Sequence, residues 1–483
     1  MPYTREDRPW TASVTLPENE GLVPALLTAQ REPSAVWRGA SRLVLAPLSL
    51  SLDQVLAILV AALLAVGLIM VQSAEAQVRG VNEEWFQGAF NTKNALHAGI
   101  GLVVMIVLWR WDYARWLGKK LWTSPAFWFL LVTFGLLISV LVVGTTVKGA
   151  RRWLTVPLLK FNFQPSELVK LAMILFTTAY AVHAGPRIRN FFTGVLPVLA
   201  GVGVVLLLVV KEDFGTTALI GVVFFCLLLM AGVRWWHMAI ILPPALAVGV
   251  YFIIREPYRL KRLTAFWDIF WGRDADLQGA GYHPWQSLLT IINGGIWGRG
   301  LGHGVQKMGF LPEDNTDFIF AVICEELGVI GAGLICALFI AIVLVGWRIM
   351  MRCQTLPGKM VAFGITAMIG LQAAINIAVV TVSVPTKGIA LPLISSGGTG
   401  WIMTAAAVGV LMAVERMNRK REREHAHTPR ARYSPGTDLF AMPVLNEEMF
   451  NLEPPATDAA PGVEYAPVKK KTPLSIGRWT WWR

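Results

Sequence analysis

Asp317 stands where a glycine-rich polar stretch, residues 281–316, gives way to an apolar run, and Glu325 and Glu326 follow inside that run. An ionised side chain at the centre of a membrane span costs about 2.5–3.5 kcal/mol, so carboxylates carried into apolar segments read first as functional. A carboxylate beside an open loop can take a proton from a hydroxyl as a general base. It can equally occupy the first turn of a helix, where the macrodipole stabilises it. Residue type alone leaves both readings of Asp317 open.

A second constellation lies upstream. Glu167 and Lys170 are three apart and share a helical face, with Pro165 fixing the helix start just before them. They can neutralise each other at an interface or line a polar cavity between helices. The segment KGARRWLTVPLLKFNFQPSELVK places Lys148, Arg151, Arg152 and Lys160 ahead of that pair. Such a cluster suits a phosphate or diphosphate, or the headgroups of anionic lipids. Gln372 and Asn376, four apart, read as amides that bond neighbouring helices. The stretch VPTKGIALPLISSGGTG carries Lys387 as its one charge and needs irregular backbone, tolerated at membrane depth only against protein or water.

The elements that must position these groups are membrane helices. Hydrophobic residues make up 55% of the chain and charged ones 15%, and apolar runs near spanning length recur. The net charge of +12 is spread over many short loops, which points to membrane lipids and argues against nucleic acid. Cys226, Cys324, Cys336 and Cys353 form no C-x-x-C pair, so neither a disulfide framework nor a zinc site is indicated.

The pattern predicts an all-α integral membrane protein with ten spans, at 53–71, 95–111, 126–144, 165–183, 191–210, 214–232, 238–254, 317–345, 360–381 and 396–414. Lys and Arg then gather on the side of both termini, which are expected to be cytoplasmic. The basic segment 148–160 falls on the opposite, outer side, against that bias. The one large external loop joins helices seven and eight, and its aromatic, basic first half suits an element lying in the interface. Flanking the membrane domain, 51–418, are an expected disordered arm, 1–50, and tail, 419–483. The opening MPYTREDRPW lacks the design of a cleavable signal, so the first span is expected to stay as an anchor.

Seven motifs in order then resemble the SEDS family (shape, elongation, division and sporulation) over about residues 50–418. They are GARRW at 149–153, FQPSELVK at 163–170, DFGT at 213–216, YRLKRLTAF at 258–266, GGIWGRGLGHGVQK at 294–307, LPEDNTDFIFAVICEELG at 311–328 and LPLISSGGTG at 391–400. PTKG at 385–388 and Gln306-Lys307 are similar to the division branch rather than the elongation branch. Lys211-Glu212, Asn315, Ser396 and Thr399-Gly400 depart from the usual family pattern.

The resemblance implies a ten-helix glycosyltransferase that polymerises lipid II into peptidoglycan strands at the division septum, with undecaprenyl diphosphate leaving. It implies that Asp317 is the base that activates the acceptor hydroxyl. Arg151 and Arg152 are expected from their charge to meet the diphosphate, and Glu167, Lys170 and Lys387 are the other expected substrate contacts, with Lys148, Asp213, Gln306, Lys307 and Glu325 as further candidates. No protein metal site is expected, and a divalent cation accompanying the diphosphate is left open. The implied partners are undecaprenyl-linked glycan, a class B penicillin-binding protein and other division proteins in the cytoplasmic membrane. A lipid II flippase, a non-catalytic division scaffold and an elongation polymerase are the competing readings.

Overall fold

The computed structural model describes residues 50–76, 92–147, 150–156, 161–273, 276–306 and 309–427. Twelve α-helices are formed among them: α1 (Leu52–Ala76), α2 (Thr92–Arg110), α3 (Pro125–Val143), α4 (Pro165–Ala184), α5 (Leu196–Glu212), α6 (Phe214–Met230), α7 (Trp235–Ile254), α8 (Pro257–Phe270), α9 (Tyr282–Gly294), α10 (Ile319–Arg352), α11 (Leu356–Val380) and α12 (Gly398–His427). Nine helical stretches among the described residues are long and apolar enough to cross a membrane, and the shorter α6 is also apolar. Helices predominate because in hydrocarbon every backbone N–H and C=O must find its partner within the segment. The chain is a multi-pass membrane protein.

Local sequence sets several helix starts. The Ser124 hydroxyl accepts the Phe127 N–H at α3, Pro165 supplies the first turn of α4, and the Asp213 carboxylate accepts the Thr216 N–H at α6. α4 is the axis of the bundle: every residue from Pro165 to Ala181 except Glu167 is buried. It packs against α3, α6 and α11. The approach to α11 is close enough that a Cβ on Gly364 would come within 2.7 Å of the Ile174 side chain, the small-residue packing by which membrane helices associate. α7 is the opposite case, burying only Met238; its apolar surface is left for lipid.

Three features depart from the sequence expectation. The segment before α4 forms a small antiparallel sheet, β1 (Thr145–Val147), β2 (Ala150–Val156) and β3 (Phe161–Phe163), in the order β1-β2-β3. Alternating β-branched and aromatic residues in RRWLTV and FNF favour strands, a period missed beside the dominant helical signal. The region between α7 and α10 folds into two further helices, α8 and α9. Finally, α12 passes the expected boundary at 418 and reaches His427. Ion pairs hold its end: Arg352 of α10 meets Glu415 at 3.2 Å and Glu422 at 2.8 Å, and Arg419 pairs with Asp53 of α1. The arm 1–49 and the tail from 428 lie outside the described residues.

The glycine-rich run completes a broken helix. α10 is interrupted at Gly328, whose φ of 67° removes it from the helical region, a conformation that costs glycine nothing. The break frees backbone groups on both sides, and the run 295–300 occupies them. The N–H groups of Arg299 and Gly300 donate to the Glu325 and Glu326 carbonyls at 2.9 Å, and the Val329 N–H donates to Gly295 at 3.1 Å. A Cβ at Gly298 would lie 2.3 Å from the Glu326 carbonyl oxygen. Glycine there is a condition of contact between two backbones.

Candidate active site

At one end of the bundle the turn before α10 meets the loop between α11 and α12. Asn376 of α11 joins them, its Nδ2 donating to the backbone oxygens of Asp317 at 2.8 Å and Ile389 at 2.7 Å. The Ser395 hydroxyl donates to the Thr316 carbonyl at 2.6 Å and the Ser396 N–H to that of Asn315 at 2.8 Å. Both loops carry strained backbone, with Glu313 at φ 60° and Leu393 at φ 62°. Positive φ in non-glycine residues concentrates where the surrounding structure fixes a functional group. Asp317 is thus pinned through its main chain, one residue outside the capping position of α10, which Phe318 occupies.

The carboxylate rests against Gly388. A Cβ built at residue 388 would lie 2.8 Å from Asp317 Oδ2, closer than real Cβ contacts come. Gly388 is therefore the wall that sets where the carboxylate points, a role its neighbours in sequence gave no reason to assign. Gly388→Ala should push the carboxylate aside while leaving the fold intact, because the displaced atom is the far end of a side chain and not backbone. A misplacement of about 1 Å costs on the order of 10²-fold, so the expectation is a fall in kcat of about 10–100-fold with an unchanged melting temperature.

Glu167 and Lys170 form the pair their spacing predicts, with Lys170 Nζ 2.7 Å from Glu167 Oε1. Lys170 also donates to Gln372 Oε1 at 2.9 Å, and Gln372 Nε2 donates to the Ala390 carbonyl at 2.8 Å. Gln372 and Asn376 are one turn apart on α11. Together they tie the α4 pair to the loop that carries Gly388 and to the Asp317 main chain. A cleft of about 340 Å³ opens beside Glu167, Lys170 and Gln372, with Met368, Met403 and Thr404 on its apolar walls. Lys170 is engaged twice within the protein, so its first effect is to hold this network.

Lys387, adjacent to Gly388, places its ammonium 3.8 Å from the centroid of the Phe214 ring. Burial, helped by the nearby Arg259 and Arg262 and opposed by Asp213, pushes its pKa down to about 8. Arg259 of α8 also faces the Phe214 ring, at 5.5 Å, and donates to the backbone oxygens of Lys211 at 2.8 Å and Phe252 at 3.1 Å. The expected interfacial segment thus brings two arginines to the site, a signal present in YRLKRLTAF but read there as a membrane-surface element.

Several candidates are also engaged within the protein. Both oxygens of Asp213 accept from Thr216, at 3.0 Å from its N–H and 2.7 Å from its hydroxyl, so it caps α6 while its charge also reaches Lys387. The fully buried Glu325 accepts the N–H groups of Val305 at 3.0 Å and Gln306 at 3.3–3.4 Å. Its carboxyl oxygens thereby anchor the glycine-rich run at Val305 and Gln306. Gln306 enters that clasp through its main chain. Glu326 is likewise occupied, by the Ser73 hydroxyl of α1 at 2.8–2.9 Å.

β2 carries Arg151 and Arg152, with Arg151 in register with Thr146 of β1, and β3 leads directly into α4. The side chains of these two arginines, and Lys148, Lys160 and Lys307 altogether, lie outside the described residues. Among the described residues no group of three or more His, Cys, Asp or Glu side chains is placed to hold a metal ion.

Known proteins share this architecture and sequence. The chain is 37% identical over 369 residues to the probable peptidoglycan glycosyltransferase FtsW of Geobacter sulfurreducens, covering 75% of this chain and 94% of that one. It is 37% identical over 376 residues to stage V sporulation protein E of Bacillus subtilis, covering 76% and 98%. Among solved structures, the fold matches the rod-shape-determining protein RodA of Thermus thermophilus with a TM-score of 0.52 at 25% identity, over 75% of this chain and 96% of that one. A chain from a structure titled for the coordination of polymerization and crosslinking by a peptidoglycan synthase complex matches with a TM-score of 0.59 at 24% identity, over 75% and 97%. With its apolar helices, pinned carboxylate and motif order accounted for over residues 53–420, the chain belongs to the FtsW/RodA/SpoVE family of cell cycle proteins.

Proposed function

We infer that this chain is a peptidoglycan glycosyltransferase that polymerises lipid II during cell division. Asp317, held by its main chain and aimed by Gly388, removes the proton from the acceptor sugar's 4-hydroxyl. The freed oxygen pair attacks the anomeric carbon of the donor, the bond from that carbon to the diphosphate breaks, and undecaprenyl diphosphate departs with the bonding electrons. A positioned base of this kind contributes about 10²–10⁴-fold. The observation that carries the reading is the carboxylate fixed beside Gly388, whose chain neighbour Lys387 joins Arg259 and Arg262, in a membrane bundle whose relatives are named for this reaction.

The excess of Lys and Arg in the alternate loops supports cytoplasmic termini, with Asp317 and Lys387 facing outward where glycan is assembled. Arg151 and Arg152 on β2 are assigned to attracting the anionic lipid-linked substrates, in the membrane of the division septum. A class B penicillin-binding protein is the expected crosslinking partner. A divalent cation, where present, would accompany the diphosphate rather than a protein ligand set.

Purified chain, with and without that partner, given labelled lipid II tests the reading. Glycan polymer on a gel is the expected result. Transfer of lipid II across a liposome without polymer would make it a flippase, and neither activity would leave a scaffold.

The titration of Lys387 gives a further expectation. Its cationic form predominates below pH 8 and is lost above it, against an ordinary value of 10.5. The groups facing it are Arg259, Arg262 and Asp213. If its charge serves the anionic donor, kcat/KM falls from about pH 8 upward, by up to about tenfold per pH unit. Lys387→Arg, which stays charged, should move that limb to higher pH. An unchanged limb in the variant would assign it to another group.

A further inference from the structure

Three cations, Lys387, Arg259 and Arg262, gather around the Phe214 and Tyr258 rings. Lys387 and Arg259 flank the Phe214 ring, and Arg262 lies 4.3 Å over the Tyr258 ring while donating to the Tyr258 hydroxyl. Among the described residues none of the three forms an ion pair. The carboxylate nearest in charge, Asp213, is committed to Thr216 through both oxygens. Cation–π contact steadies these heads but leaves their charge uncancelled. Like charges held together in partly dry surroundings repel one another, and an anion bound among them reverses the sign of that interaction.

Their placement matches a leaving group. Lys387 is joined by one peptide bond, with about 3.8 Å between Cα atoms, to the glycine against which the Asp317 carboxylate rests. Arg259 is fixed from two sides by the Lys211 and Phe252 carbonyls, so its guanidinium is set before any ligand arrives. The three come from two elements, the loop after α11, which carries Lys387, and α8, on which Arg259 and Arg262 are three apart.

We propose that Lys387, Arg259 and Arg262 form the seat of the donor's diphosphate, a reading that rests on the glycosyl-transfer function above. As the bond between the anomeric carbon and the diphosphate oxygen breaks, its electron pair moves onto the diphosphate. The added negative charge develops against three fixed cations, the arrangement that favours a transition state over its ground state. The acceptor proton moves the other way, to Asp317. Arg151 and Arg152 on β2 then serve approach of the lipid rather than departure of the diphosphate.

The test uses the full chain in phosphatidylcholine nanodiscs, with undecaprenyl diphosphate, undecaprenyl phosphate and phosphatidylglycerol as separate probes. Arg259→Gln, Arg262→Gln and Lys387→Gln are each expected to weaken undecaprenyl diphosphate binding about tenfold or more. The monophosphate should lose less, and phosphatidylglycerol binding should change less than about twofold. Arg259→Lys, which keeps the charge, controls for loss of the α8 anchor, and melting curves establish that each variant is folded. Wild-type binding of the diphosphate in all folded variants overturns the proposal. So does equal weakening for phosphatidylglycerol, which marks a general lipid contact, or an effect confined to Arg151→Gln. Polymer formation by the wild type is scored separately: its absence removes the glycosyl-transfer reading, whereas polymer with unchanged variant binding removes only this seat.

Discussion

Asp317→Asn is expected to lower lipid II polymerisation by about 10²–10⁴-fold, the contribution of a positioned general base. The substitution changes a proton acceptor into an amide of nearly the same shape. The main-chain oxygen of residue 317 still accepts from Asn376, and Phe318 still occupies the capping position of α10, so these main-chain ties are kept. The melting temperature should therefore stay close to that of the wild type. The comparison separates chemistry from folding because the side chain carries the reaction while the backbone carries the structure. Polymerisation within about threefold of wild type would remove Asp317 from the role of base.

Lys170→Met should have the largest effect on stability. Lys170 is 9% exposed at its side chain and Glu167 13%, so the pair lies almost wholly inside the bundle. Removing one partner of such a pair strands the other's charge, which costs about 3–5 kcal/mol. It also takes the donor from Gln372 Oε1. The double variant Glu167→Gln with Lys170→Met should recover part of the loss, because no isolated charge then remains, and the recovery measures the coupling between the two residues. Thermal unfolding in detergent or nanodiscs reads the effect. A single variant that melts like wild type but raises KM would instead place Lys170 among the substrate contacts.

These two expectations differ in kind because the site is built in two layers. One layer is the Asp317 carboxylate against Gly388 with Lys387 and Arg259 at the Phe214 ring. Behind them, Glu167, Lys170, Gln372 and Asn376 fix the loops that present those groups. Carboxylates within apolar segments are conspicuous in sequence whichever layer they belong to. Glu325 illustrates the ambiguity: it lies only eight positions beyond Asp317 and is equally costly to bury, yet its oxygens hold the backbone of Val305 and Gln306.

The sequence by itself determined the membrane class, the order of the spans, the family resemblance and the Glu167–Lys170 pair. Each depends on a local quantity: apolar length against bilayer thickness, motif order, or a three-residue spacing on one helix. Only the tertiary structure decided that Gly388 aims Asp317, that Asp213 accepts from Thr216 and Glu325 from backbone N–H groups, and that Arg259 and Arg262 join Lys387. Those outcomes depend on residues far apart in the chain arriving within hydrogen-bond or van der Waals distance. A carboxylate's role follows from which donors reach it first, and in a bundle those donors come from other helices and loops. For the same reason the glycine-rich run showed its need for small residues in sequence, while the reason, a backbone-to-backbone splice into the break at Gly328, required both strands of the chain to be in place.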